Sequence, residues 1–188
     1  AQLYIRECRF ENNGQQDQYY DINADAASVV SVRDSVFGVG RPYLARVGIQ
    51  SATLFQNNQI EPGRAIHILG GTLETDGTLT RMAGLSHYRV EGNLIVAGAS
   101  APLLTLAPGI TLKFDKGSGL FVGSDTAPGA LHADGTGQPI TLTQNREGAF
   151  YRWSGVFFGP TSDVARSRLK GVTITQAGNT TSWRGISW

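Results

Sequence analysis

The sequence predicts an all-β chain wound into a stack of short parallel strands, and three observations carry that expectation. Glycine supplies 24 of 188 residues, nearly twice the ordinary ~7%. No window of a dozen residues sets apolar positions at helical spacing, whereas apolar or alternating runs of about four to eight residues recur throughout. Finally, segments of the chain resemble one another without a constant period, which points to a repeat architecture of uneven coils.

The runs follow in order. Leu3–Phe10, Ser28–Phe37, Val47–Phe55, Ala65–Leu69 and Gly71–Leu73 make the first half. Tyr88–Val96, Leu103–Leu106, Ile110–Phe114, Gly119–Val122, Ala130–Ala133, Ile140–Thr143, Val156–Phe158 and Val172–Thr175 make the second. Each is closed by Gly, Asn, Asp or Pro, the residues that tolerate tight or left-handed corners. A hairpin protein would show two-residue Asn-Gly or Gly-Asp loops between long alternating arms, and these strands are too short for that. Inward apolar side chains stacked from coil to coil, with Gly and Asn at the corners, account for the pattern.

Three comparisons support the repeat. Phe10-Glu11-Asn12-Asn13-Gly14 returns as Phe55-Gln56-Asn57-Asn58-Gln59. Gly71-Thr72-Leu73-Glu74-Thr75-Asp76-Gly77-Thr78 matches Gly129-Ala130-Leu131-His132-Ala133-Asp134-Gly135-Thr136. Leu169–Gly178 falls on Ile5–Gly14 in pattern. Equivalent asparagines at corners are placed to stack and hydrogen-bond along the axis, with an ordinary polar turn as the plainer reading.

The stretch Leu103-Leu104-Thr105-Leu106-Ala107-Pro108-Gly109-Ile110-Thr111-Leu112-Lys113-Phe114 resembles a coil of bacterial right-handed parallel β-helix proteins of the pectate-lyase-like fold. Gly119–Val122, Gly129–Gly135, Gln138–Thr143 and Trp153–Pro160 follow in an order similar to that family's, and Leu169–Gly178 looks like its next coil. The resemblance is dense over 88–178 and looser over 1–87. It implies one right-handed β-helix domain over 1–188, with less regular coils in 1–87 and more regular ones in 88–188. At roughly 20–25 residues per turn that is about eight irregular coils. It also implies a secreted or cell-surface bacterial setting. Its members include lyases, glycosidases, tailspikes and adhesins, so the fold does not settle the activity.

The ends, entering at Ala1-Gln2-Leu3-Tyr4 and leaving at Trp183–Trp188, read as cut coils. Solenoids ordinarily carry polar caps. A slice of a longer solenoid is therefore expected, or self-association through the uncapped coil ends.

Composition excludes several functions. With 16 basic and 15 acidic residues the net charge is +1, so no global field attracts nucleic acid. The apolar runs fall short of the ~20 residues a membrane helix needs, so membrane insertion is not expected. One cysteine, Cys8, makes neither a disulfide nor a thiolate cluster, and alternation with Arg6 and Phe10 predicts a packed core thiol. His67, His87 and His132 lie in three separate contexts, so no metal site is predicted. Ca²⁺ has weak support, since no carboxylate cluster with six to eight oxygens stands out. Asp125 and Asp163 read as loop residues.

Candidate chemistry rests on two sets of residues. Glu74, Asp76, His132 and Asp134 occupy matching places in the Asp-Gly-Thr repeat, so neighbouring coils would gather them as acid and base on one exterior face. The plainer reading is turn chemistry. Tyr88, Arg89, Tyr151, Arg152 and Trp183 are the candidates for carbohydrate contact: aromatic rings give sugars a flat apolar platform, and arginines bind uronate or sulfate groups. The alternative for Trp153 and Trp183 is packing at coil corners. Thr-x-Thr pairs at 78/80, 141/143 and 173/175 raise an ice-binding reading, which needs such rows on consecutive coils. The expectation is a structural and binding module contacting polysaccharide. A polysaccharide lyase or glycoside hydrolase is the alternative, with ice binding a remote third.

Overall fold

The computed structural model describes residues 2–13, 20–178 and 186–187. Its strands follow one another in triplets. The chain runs β1 (Gln2–Arg6), β2 (Arg9–Phe10), β3 (Ile22–Asn23), then β4 (Val29–Arg33), β5 (Val36–Phe37), β6 (Tyr43–Val47). After the helical turn α1 (Ile49–Ala52) come β7 (Phe55–Gln56), β8 (Gln59–Ile60) and β9 (Ala65–Ile68), then β10 (Gly71–Leu73), β11 (Gly77–Leu79) and β12 (His87–Val90). Next are β13 (Leu94–Val96), β14 (Leu103–Leu106), β15 (Thr111–Phe114), then β16 (Gly119–Val122), β17 (Ala130–Asp134), β18 (Ile140–Gln144). Last come β19 (Gly155–Phe158), β20 (Arg168–Lys170), β21 (Val172–Ile174) and β22 (Ile186–Ser187).

Every pairing among these strands is parallel. One seven-stranded sheet, β3-β6-β9-β12-β15-β18-β21, runs the length of the stack. The sheets β1-β4-β7 and β2-β5-β8 complete the early coils, and β10-β13-β16-β19-β22 with β11-β14-β17-β20 complete the later ones. Parallel strands stacked coil on coil are the solenoid-like architecture that the glycine count and the short runs predict.

The core is a set of inward files. In the long sheet Ile22, Ala45, Ile66, Tyr88, Leu112 and Leu142 lie in register and all are buried. Aromatic rings stack along the axis as well, Phe10 on Phe37 at 4.8 Å and Phe114 on Trp153 at 4.3 Å. Glycine serves close coil-to-coil approach as much as corner geometry. A Cβ at Gly129 would stand 1.8 Å from the Val96 carbonyl oxygen, and one at Gly84 would stand 1.7 Å from that of Ile60.

Several local expectations change. Leu3–Phe10 and Ser28–Phe37 are each two strands, broken where Glu7 and Asp34 take positive φ of 55° and 52°. That break ends the alternation before Cys8, whose thiol is exposed and donates to the Arg6 carbonyl instead of packing inward. Val47–Phe55 is not a strand: it contains α1, whose inward residues Ile49 and Ala52 lie three apart on one face. The Ser51 hydroxyl there accepts from Val30 N and donates to Ser28 O.

Step length differs along the stack. In the long sheet Ala45 to Ile66 is 21 residues and Ile66 to Tyr88 is 22, but Leu112 to Leu142 is 30 and Leu142 to Ile174 is 32. The later coils hold the insertions. The corner ladder is also mixed, not asparagine on asparagine. Cys8 N donates to Ser35 Oγ, Ser35 N to Asn58 Oδ1, and Asn58 Nδ2 to Val32 O.

Candidate functional site

The outer face of the seven-stranded sheet gathers the richest set of polar side chains. Alternation sends the residue between two inward apolar ones outward. Register then aligns Asn23, Arg46, His67, Arg89, Lys113 and Thr143 in one file, spaced about 4.8 Å per coil. Glu91 and Asp115 each lie one residue past their strands, and a second outward position holds Tyr43 and His87, both registered with Ala65.

These groups are tied to one another. Arg89 donates to Asp115 through Nε and Nη2 (3.1 and 2.7 Å), and Asn145 Nδ2 donates to the same carboxylate at 2.8 Å. The bonds to Asp115 hold the Arg89 guanidinium charged even more firmly than usual. Its charged plane lies 5.5 Å from the Tyr43 ring centroid. Arg46 donates to Glu91 at 3.2 Å. His67 Nδ1 lies 3.0 Å from the Tyr20 hydroxyl. Its Nε2 stands 3.1 Å from Glu91 Oε2, yet outside hydrogen-bond geometry. Burial first, then Arg89, pushes the His67 imidazole down to about 4. Burial, then Lys113 and Arg89, does the same to His87. Burial also pushes the Tyr20 phenol up.

A pH dependence follows. Unfolded histidine takes up its proton near 6.5, whereas these two resist protonation until about 4. Between those values the unfolded chain binds more protons, so stability falls as pH falls. His67→Gln with His87→Gln is expected to flatten the decline in urea midpoint between pH 6.5 and 4. An equal decline in parent and variant would remove the two histidines as its cause.

At the edge of this face the insertion after β18 forms a wall. Residues 145–152, with a 3₁₀ turn at Ala149–Tyr151, close a cavity of about 210 Å³ lined by Arg89, Asp115, Lys116, Arg146 and Tyr151. Lys116 Nζ sits 3.2 Å from the Phe150 ring centroid, and Arg146 is 5.7 Å from that of Tyr151. Among the described residues neither Lys116 nor Arg146 is in an ion pair.

The predicted residues divide sharply. Arg89 is at the centre of the face, Tyr151 lines the cavity, and Arg152 is exposed beside it. Tyr88 faces inward, fully buried, its hydroxyl donating to the Thr80 carbonyl, so it offers no platform to a ligand. Trp183 lies outside the described residues.

The acid–base set is not brought together. Asp76 accepts from Leu103 N just before β11, whereas Asp134, held by Thr136, ends β17 two coils away. Two coil spacings and four strand residues put their Cα atoms about 16 Å apart, beyond the ~5–10 Å of a glycosidase pair. Glu74 is exposed in the turn before Asp76, and His132 is outward on β17, registered with Arg168. The first Asp-Gly-Thr leads into β11, whereas the second closes β17 of the same sheet and turns toward β18, so their likeness is one of corner chemistry. The Thr pairs 141/143 and 173/175 stack on adjacent coils, while Thr78 belongs to another sheet. Among the described residues no group of three or more His, Cys, Asp or Glu is gathered as metal ligands.

Sequence reasoning missed Glu91, Asp115, Lys116 and Arg146. Glu91 and Asp115 are carboxylates on adjacent coils, but both oxygens of Asp115 already accept hydrogen bonds from Arg89 and Asn145. No family model matches the chain, and neither a curated protein nor a solved structure is detectably similar to it. Fold and site together define a solenoid-like stack of parallel strands with a cationic, aromatic-edged outer face.

Proposed function

We propose that the chain is a structural and binding segment of a secreted or cell-surface bacterial β-helix protein, and that it holds polysaccharide along the outer face of the seven-stranded sheet. The winding is read as right-handed with about eight coils. Parallel strands of one sheet joined by right-handed crossovers are the rule in ~98% of cases, and the sequence resemblance to pectate-lyase-like proteins agrees.

The file Arg46, His67, Arg89, Lys113 beside Tyr20 and Tyr43 carries the reading. Arg46, Arg89 and Lys113 offer hydrogen-bond donors along it, with His67 buried between them and ring faces at its edge, the combination that grips hydroxylated, partly charged chains. An enzyme remains the alternative. It would have to release Asp115 from its donors before that carboxylate met a substrate.

A glycan array followed by a turnover assay tests this. The parent chain is expected to bind polysaccharide, and Arg46→Ala with Lys113→Ala to weaken binding by roughly tenfold or more, as for lost hydrogen bonds to charged groups. New reducing ends or unsaturated products would replace the binding module with the enzyme. Binding to no glycan would overturn both.

A further inference from the structure

The geometry points to a discrete oxyanion site at the edge of the face, formed by Lys116, Arg146 and Tyr151 over the Arg89–Asp115 pair. Three independent features converge on it. The cavity of about 210 Å³ is smaller than the ~300–1,000 Å³ of ordinary ligand pockets, so it suits one substituted ring or one charged group, not an extended chain. Arg89 is balanced by Asp115 in its floor, but Lys116 and Arg146, which share the lining, have no carboxylate partner among the described residues. The cavity therefore carries a local positive excess that the chain's net +1 conceals.

Both cations are also held in place. Lys116 lies against the Phe150 ring and Arg146 against that of Tyr151, and the two rings meet edge to face at 5.4 Å. Long basic side chains on a surface ordinarily give up rotamer freedom to bind, and the rings reduce that loss. Asn145 and Arg89 both donate to Asp115, which fixes the floor beneath them. The ligand class is a carboxylate or sulfate group carried on a sugar-sized ring, with the flat Tyr151 side chain as its wall. Choosing a glycan as the carrier rests on the reading above. The oxyanion site itself does not.

Titration of the full chain, followed by amide chemical shifts and calorimetry, tests this with three probes: inorganic sulfate, an oligosaccharide bearing uronate or sulfate groups, and its neutral counterpart. Lys116→Gln with Arg146→Gln is expected to weaken the acidic oligosaccharide by roughly 10- to 100-fold while leaving the neutral one unchanged. Both positions are exposed, so the urea midpoint should not move. Arg168→Gln with Lys170→Gln removes the same charge from another sheet and should have little effect. The site is refuted if the acidic probe binds the Lys116/Arg146 variant as tightly as the parent, or if both charge-removing pairs weaken it equally. Sulfate shifts centred on residues 115–116 and 146–151, with no oligosaccharide bound, would uphold the oxyanion site and sink the glycan reading. No shift with either anionic probe would sink the site.

Discussion

Trp153→Ala is expected to cost about 3–5 kcal/mol, the range for removing a large aromatic from a packed core. The side chain is fully buried and stacks on Phe114 at 4.3 Å with rings only 11° apart. Its indole N–H donates to the Thr175 carbonyl at 2.8 Å, so one residue joins three successive coils of the long sheet's edge. Truncation leaves a cavity bounded by coils that cannot close on it, because parallel strands on either side fix the spacing. It also orphans the Thr175 carbonyl, a smaller loss since that group lies near solvent. Trp153→Phe keeps much of the ring and loses the donor, and should cost less than half as much. Urea unfolding checks both, and near-equal losses would show that the hydrogen bond, not the ring, dominates. Because Trp153 anchors the end of the 145–152 insertion, the alanine variant should also loosen the wall that carries Arg146 and Tyr151.

The all-β class and the outward file were open to sequence reasoning, because period-2 alternation survives in every coil of the long sheet. Ala45-Arg46-Val47, Ile66-His67-Ile68, Tyr88-Arg89-Val90 and Leu112-Lys113-Phe114 repeat one apolar–polar–apolar pattern, and each lies in register with the next. The same alternation argues against Tyr88 as a ligand platform: with Arg89 outward, its neighbour must turn in. What stayed hidden depends on register between distant residues. Arg89 meets Asp115 and Arg46 meets Glu91 only because uneven coils bring them level. The insertion after β18 has no strand pattern to reveal that it folds over Lys116. Likeness between Asp-Gly-Thr segments misled for a related reason. All corners favour the same residues, so a matching corner does not say which sheet follows it.

Charge shows the same division between composition and arrangement. A near-neutral chain argues against long-range attraction of polyanions, and at distances beyond a Debye length of ~10 Å that holds. At contact distance the relevant charges are Lys113, Lys116 and Arg146 on one face. The acidic residues Glu91 and Asp115 are committed to Arg46 and Arg89. Affinity for an acidic ligand would therefore be short-ranged and dependent on seating, and rim charges on other sheets would contribute little.

Arg64→Ala is expected to destabilise by about 3–5 kcal/mol, as breaking a buried ion pair does. The Arg64 and Asp21 side chains are 4% and 2% exposed and meet at 2.7 Å. Arg64 also donates to the Arg41 carbonyl at 2.8 Å and the Gly38 carbonyl at 3.0 Å, so truncation strands one carboxylate and two backbone acceptors. This distinguishes the clamp from a simple ion pair. A pair alone is often replaced by apolar residues without loss, but Arg64→Met with Asp21→Leu would still remove the Arg64 bonds to the Gly38 and Arg41 carbonyls, at about 1–3 kcal/mol each. The double variant should therefore recover only part of the stability lost by Arg64→Ala. Full recovery in a double-mutant cycle would show that the backbone bonds contribute little. The effect reaches the binding face through Tyr20, next to Asp21 in the chain and hydrogen-bonded to His67. In Asp21→Asn, which removes the charge but keeps the shape, Tyr20 should stay on His67. In Arg64→Ala it should not, and the His67 imidazole, no longer shielded by that ring, should titrate closer to 6.5 than to 4. Proton NMR of the His67 ring across that pH range reads the difference directly, and an unchanged titration in Arg64→Ala would uncouple the clamp from the face.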